Sequence, residues 1–393
     1  MTRRAVLRTY VRLLYLSFFA RRRTPVHARR AVVFCAVFLT LFAVVEAFTA
    51  VCFLLDAMLF RRYRRISLRA PIFVIGNPRS GTTILHRVMA RDEEHFFFFR
   101  TWEIGCPSIV EKKVLSGLGA LDRLVGAPLH RLVERLEANR FETLNRFHDF
   151  GLFKPEEDDK LLLHILASPD LGFLFPYGGF DAIVKFDLVV DPSDQRAAMG
   201  FYTDCIRRQA YVRGPRKALL SKSPWASARV ESLGRQFPGC RFIYLVRSPL
   251  DVVASIISFS RAILREFSGV EPGPDHDEAV YEVVKFFYTH PLGHLATLPP
   301  ERYVIVNYDD LLRQPKPLFE RIYRQFGFPL TPEFEVRLDE EVAKMRRHQS
   351  RHAYGLDGCS ITRQRILADL RPVFDRFGFD TRETVHSESA ATA

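Results

Sequence analysis

The longest apolar stretch of the chain, residues 31–60 (AVVFCAVFLTLFAVVEAFTAVCFLLDAMLF), holds no Gly and no Pro, so nothing in it breaks a helix. As one helix it would reach about 45 Å, against a bilayer hydrocarbon core of roughly 30 Å. Two acids, Glu46 and Asp56, interrupt it, and acids at bilayer depth are expensive. Arginines bracket it: Arg21, Arg22, Arg23, Arg29 and Arg30 before, Arg61, Arg62, Arg64 and Arg65 after. The pattern predicts a membrane segment that crosses once or dips in and returns; basic residues at both ends favour the second. Its length and its distance from the start argue against a signal peptide. Upstream, Arg4, Arg8 and Arg12 recur every fourth residue among Val6, Leu7, Val11, Leu13 and Leu14. That spacing predicts a basic amphipathic helix on an anionic membrane surface, the alternative being a helix packed on the folded body.

After Arg69 the pattern turns to short apolar, β-rich runs, most of them feeding a helical stretch. Strands are predicted at 71–76 (PIFVIG), 95–99 (HFFFF), 217–221 (KALLS), 241–246 (RFIYLV) and 303–308 (YVIVNY), with helices opening near Pro249 and Pro317. Such strands indicate an α/β fold, a P-loop-like parallel sheet covered by helices on both faces. Residues 103–215 read as a helical, loop-rich insertion building the acceptor side. The predicted organisation is a membrane-associated helical segment over 1–69, a catalytic domain over 70–380, and a disordered tail over 381–393.

Charge sharpens this division. The net charge is +12, and residues 1–70 account for all of it, with fourteen Arg, no Lys and two acids. The rest carries 43 basic and 43 acidic side chains, which argues against nucleic acid as a partner and places the positive field at the N-terminus. The six cysteines, at 35, 52, 106, 205, 240 and 359, form no C-x-x-C pair. They read as free thiols rather than a disulfide framework or a zinc site.

The sharpest motif is Gly76-Asn77-Pro78-Arg79-Ser80-Gly81-Thr82-Thr83. It follows a buried strand and opens a helix, which aims backbone N–H groups at an anion. The glycine spacing is that of a Walker A loop, but Thr82 stands where the lysine that reaches the β- and γ-phosphates belongs. Arg79 supplies a cation earlier in the loop.

The loop resembles the 5′-phosphosulfate loop of the sulfotransferases that use PAPS (3′-phosphoadenosine-5′-phosphosulfate), and most resembles the bacterial and tyrosylprotein-type branch carrying P-R-S-G-T-T. The resemblance covers roughly 70–380, including Pro155-Glu156-Glu157-Asp158 and His352-x-Tyr354-Gly355-Leu356. It implies that Arg79, Ser80, Gly81, Thr82 and Thr83 hold the 5′ end of the donor. Arg247 at a strand end and Ser255 eight residues later would hold its 3′-phosphate. Lys222, in a K-S-P element, would approach the sulfonate, and Tyr308 would lie near the nucleotide. Arg346, Arg347, His348 and Arg351 fall where the family has a late loop closing on the nucleotide.

Sulfonyl transfer needs a base for the acceptor hydroxyl, stabilisation of charge on the sulfonate, and in-line placement. Arg79 and Lys222 are candidates for the charge. Glu103, expected beside the phosphate loop at the carboxyl edge of the sheet, is the candidate base, with His148, His164 and Glu157 as rivals and a structural role, holding Arg79, as its alternative. No metal is required and no metal-ligand spacing is found. Competing readings are a P-loop kinase or nucleotidase, which Thr82 disfavours, and a non-catalytic membrane-bound nucleotide-binding module. The expected partners are PAPS, a hydroxyl acceptor, lipid-linked or otherwise hydrophobic, and membrane lipids contacted through 1–69. The catalytic domain is expected to face the cytoplasm in a bacterium, or the Golgi lumen in a eukaryote.

Overall fold

In the computed structural model the described residues are 2–18, 28–140, 151–174, 181–268, 271–347, 356 and 358–381. The tail beyond Thr381 lies outside them. Two long helices come first, α1 (Arg3–Phe18) and α2 (Ala28–Leu59). Strand β1 (Arg69–Gly76) then runs through the phosphate loop into α3 (Thr82–Met89). Strand β2 (Phe96–Phe97) leads to a short helix α4 (Thr101–Gly105), followed by α5 (Ile109–Leu124), α6 (Pro128–Arg140) and α7 (Pro192–Arg213). Strands β3 (Ala218–Lys222) and β4 (Arg241–Val246) precede α8 (Pro249–Ser268) and α9 (Pro274–Leu295). Strand β5 (Tyr303–Asn307) is followed by a short turn of helix, Tyr308–Arg313, then α10 (Pro315–Phe326) and α11 (Pro332–Arg347).

The five strands are parallel, in the order β2-β3-β1-β4-β5. Alternation along each strand feeds two apolar layers. Phe73, Ile75, Phe242 and Tyr244 face one, with α7, α8 and α9; Ile72, Val74, Ile243 and Leu245 face the other, with α3, α10 and α11. A parallel sheet buried on both faces is what the unbroken apolar runs require. The predicted second strand is cut from five residues to two, at the sheet edge. After Phe97 the chain leaves the sheet, and Phe99 and Arg100 bond instead to Glu156 and Pro155.

The chain crosses from one side of β1 to the other between β3 and β4. In open parallel sheets, ligands bind at such a switch point, beyond the carboxyl ends of the strands. The ends of β1, β3, β4 and β5 deliver the phosphate loop, Lys222, Arg247 and Tyr308 there.

The two acids of the apolar segment do not face outward. Asp56 is fully buried against the body, where it accepts hydrogen bonds from the Ile109 and Val110 amides (both 2.9 Å) and from Arg208 Nε (3.0 Å). It thereby caps the N-terminus of α5. Thr49 donates to Glu111 at 3.1 Å, and Glu46 pairs with His164 Nδ1 at 2.6 Å. Helix α1 is not a purely surface helix either: Ala5 and Leu13 are buried, Leu13 against Leu166 and Leu171.

Candidate active site

The phosphate loop is built by two glycines with different tasks. A Cβ at Gly76 would stand 2.4 Å from the Leu245 carbonyl oxygen, so only glycine lets β1 approach β4 this closely. Gly81 has φ +90°, and a Cβ there would meet the Tyr308 ring at 2.7 Å. Between them Arg79 holds the left-handed conformation, φ 68°, a strained state for a side-chain-bearing residue. We expect Gly81→Ala to cost about 1–3 kcal/mol of stability, measurable by denaturant unfolding, and to reduce the thermal shift on adding PAP, the adenosine 3′,5′-bisphosphate that PAPS leaves on giving up its sulfonate.

The two predicted anion sites meet. Arg79 Nε donates to Ser255 Oγ at 3.2 Å, and the Arg247 guanidinium donates to the Arg79 carbonyl at 3.2 Å while lying over the Tyr308 ring, 4.6 Å from its centre. Asp251, one turn on, pairs with Arg247 at 3.2 Å. Ser80 Oγ is buried and has no hydrogen-bond partner among the described residues. The first turn of α3 has no side-chain cap. An orphaned hydroxyl, an uncapped helix start and two guanidiniums suit a ligand carrying phosphate groups.

A second group lies beside the loop at the end of β3. Three consecutive acids, 157–159, meet three consecutive residues of the strand end. Asp158 accepts from Ser221 at 2.7 Å and from the Tyr202 hydroxyl. Asp159 accepts from Ser223 Oγ at 2.5 Å and pairs with Arg229. Glu157 takes the Lys222 ammonium at 2.7 Å, and Lys222 also reaches Thr83 Oγ1 at 3.4 Å. Burial pushes the Asp158 carboxyl up to about 7 against its two hydroxyl donors. Beneath Lys222, burial and then the lysine's charge pull His86 down to about 3, so it stays neutral.

Glu103, the expected base, is held in a buried set of contacts at the start of α4. Its two oxygens hold the Arg100 amide (2.9 Å) and the Arg213 guanidinium (2.6 and 3.0 Å), and it is 1% exposed. It thereby ties the start of α4 to the end of α7. It follows the edge strand β2, with β3 next to β2 and β1 beyond it. The structure brings Glu157 to Lys222 in its place. Of the other rivals, His164 is held between Glu46 and the Ile104 carbonyl (2.8 Å), and His148 lies outside the described residues. So do His348, Arg351 and the side chains of Arg346 and Arg347.

Burial works against a charged His164, but the Glu46 hydrogen bond and charge outweigh it and raise its pKa above the ordinary 6.5. The folded state then binds this proton more tightly than the unfolded chain. The pair's contribution is whole below about 6.5 and fades as pH rises through the raised value. Melting curves from pH 6 to 9 should show the wild-type advantage over His164→Gln shrinking with rising pH.

The profile described as the sulfotransferase family matches residues 185–332. Over 331 residues, 79% of this chain and 75% of the relative, the chain is 27% identical to the omega-hydroxy-beta-dihydromenaquinone-9 sulfotransferase Stf3 of Mycobacterium bovis. The crystal structure of sulfotransferase STF9 from Mycobacterium avium aligns with a TM-score of 0.72 at 18% identity, covering 94% of this chain and 92% of that one. That of STF1 from Mycobacterium tuberculosis H37Rv aligns at 0.69 and 17%, covering 93% and 92%. The chain thus has the fold of these solved sulfotransferases, and it is similar to the sulfotransferase family over residues 185–332.

Proposed function

We propose that this protein transfers the sulfonate of PAPS to a hydroxyl on a lipid-like acceptor at a membrane surface. The observation that carries the reading is the junction of Arg79, Ser255, Arg247 and Tyr308 on one side of the phosphate loop, with Lys222 and Thr83 on the other. Arg247 and Ser255 serve the 3′-phosphate. Arg79, Ser80, Gly81, Thr82 and Thr83 serve the 5′ end, where Thr82 replaces the Walker lysine.

In this scheme Glu157 takes the proton of the acceptor hydroxyl as its oxygen attacks sulfur. A new S–O bond forms, the bond from sulfur to the bridging oxygen breaks, and the electron pair leaves on PAP. Lys222 and Arg79 oppose the charge that builds on the sulfonate and the leaving oxygen. Glu103, locked to Arg213, is a positioning residue that sets the corner from which 151–157 is hung.

A hydroxyl at the end of an apolar chain is the acceptor favoured by the apolar N-terminal helices and by the relative named for a menaquinone derivative. The catalytic body is proposed to face the cytoplasm, where bacteria make the donor. The test is mass spectrometry of products after incubating the purified protein with PAPS and, in detergent, a hydroxylated isoprenoid quinone, a long-chain alcohol or a soluble sugar. Sulfonation of the first two over the sugar is expected. Equal sulfonation of the sugar would refute the acceptor class, and failure with every alcohol, with no PAP released, would refute the transfer itself.

A further inference from the structure

We propose that α1, α2, α5 and α6 form one continuous face that docks in the plane of an anionic lipid leaflet, with α2 lying in that leaflet rather than crossing the bilayer. This deepens, and rests on, the membrane association proposed above for residues 1–69.

By length and composition, Thr40–Leu59 could cross a membrane. Its contacts argue otherwise. Positions 42, 46, 49, 53 and 56 of α2 pack or bond to the rest of the protein. Positions 41, 44, 48, 51, 54 and 58 point away and are more than half exposed. Both sets recur at helical spacing, so α2 is two-faced along this length. The body holds it from Phe42 to Asp56. The part of α2 before Phe42, residues 28–41, spans about 21 Å, short of the roughly 30 Å hydrocarbon core. A helix fastened side-on in this way fits an interfacial position.

The outward face extends beyond α2. Of the 26 large apolar side chains exposed among the described residues, 22 fall within residues 7–59 and 114–153. Helix α1 packs on α2, α2 on α5, and α5 on α6, so these exposures belong to one surface. A contiguous apolar area of this kind marks an interaction site. Its charge names the partner. Leu7, Val11 and Tyr15 follow Arg4, Arg8 and Arg12 at i+3, giving parallel basic and apolar stripes, and Arg61, Arg62, Arg64 and Arg65 are exposed where α2 ends. Arginines beside an apolar face suit anionic headgroups above acyl chains. A second copy on the same patch would set these arginines against their own kind.

The same face brings the chemistry close to the lipid. Glu157 opens the 3-10 segment Asp158–Ile165, and His164, near the segment's far end, grips Glu46 of α2. Seven residues at about 2 Å each separate the two by about 14 Å.

The test uses the full-length protein with phosphatidylcholine vesicles, with or without about 30% phosphatidylserine as the anionic lipid. Leu118→Glu/Leu121→Glu on α5 should lower binding to the anionic vesicles at least tenfold, although it lies outside residues 1–69, and the thermal shift with PAP should be unchanged. Phe48→Trp and Leu118→Trp should both gain fluorescence over the parent protein that is quenched best by lipids brominated near the headgroup. Deepest quenching at position 48 with none at 118 would show a spanning helix and overturn the proposal. So would undiminished vesicle binding of the double Glu variant, or a dimer in sedimentation that covers the face and ignores vesicles. Vesicle binding without any PAP response would instead count against the catalytic reading and leave the docking face standing.

Discussion

Replacing Lys222 with methionine is expected to cut turnover about 100- to 1,000-fold, the scale for removing one preorganised charge-stabilising donor, while the PAP dissociation constant moves only a few-fold. The ammonium lies between Glu157 and Thr83 and is 2% exposed, so its charge acts without competition from bulk water. Methionine keeps the length and the apolar stem. It also takes the Lys222 cation from beside the Glu157 carboxylate, so unfolding should be followed in parallel, and the turnover loss should persist in protein shown to be folded. Rate and affinity are separated by steady-state kinetics and calorimetry with PAP. A matched loss in both would assign Lys222 to donor binding instead.

The two glutamates give the second large effect, and they should part company. Glu157→Gln is expected to lower kcat about 100- to 10,000-fold, as for a general base, and to flatten the acid limb of the pH–rate profile. Glu103→Gln removes the charge facing Arg213, an ion pair with a 1% exposed carboxylate. Breaking a buried pair destabilises by about 3–5 kcal/mol, somewhat less here because Arg213 is one-third exposed. The folded fraction should keep kcat within about fivefold. The reverse pattern, an inert but stable Glu103→Gln and an active Glu157→Gln, would restore Glu103 as the base.

These two residues also show what one sequence reveals. The unit of β1, loop and α3 was legible because its parts are consecutive, and a buried strand, a glycine spacing and a helix start within fifteen residues leave little freedom. Arg247 and Ser255 were legible in the same way, as a strand end and a position two turns into the next helix. Glu157 was legible only as one rival base among several, because its pairing with Lys222 spans 65 residues. The clue was the acid run 156–159 set against Ser221-Lys222-Ser223. Glu103 was expected beside the loop because it follows HFFFF, read as a full strand. Two residues of it join the sheet, at the edge, since the chain turns at Phe99 to bond with 155–156.

The apolar segment was seen but half understood. Hydropathy registers the 31–60 run, and it registers Glu46 and Asp56 as costs. It does not show that both acids point at the body, where a helix start and a histidine satisfy them. Nor does it show that α5 and α6, read as an acceptor-side insertion, continue the exposed apolar face. Such surfaces come from the packing of helices far apart in sequence.

The central claim is that the loop from Arg79 to Thr83 and the Arg247–Ser255 pair grip the two ends of one adenosine carrying phosphates at 3′ and 5′. Calorimetry with PAP and with AMP, which lacks the 3′-phosphate, tests it most directly. The account predicts that PAP binds at least about 100-fold tighter, the worth of roughly two charge-assisted hydrogen bonds, and that Arg247→Ala removes most of that preference. Equal affinity for PAP and AMP in the wild-type protein, or a preference for ATP over both, would contradict it.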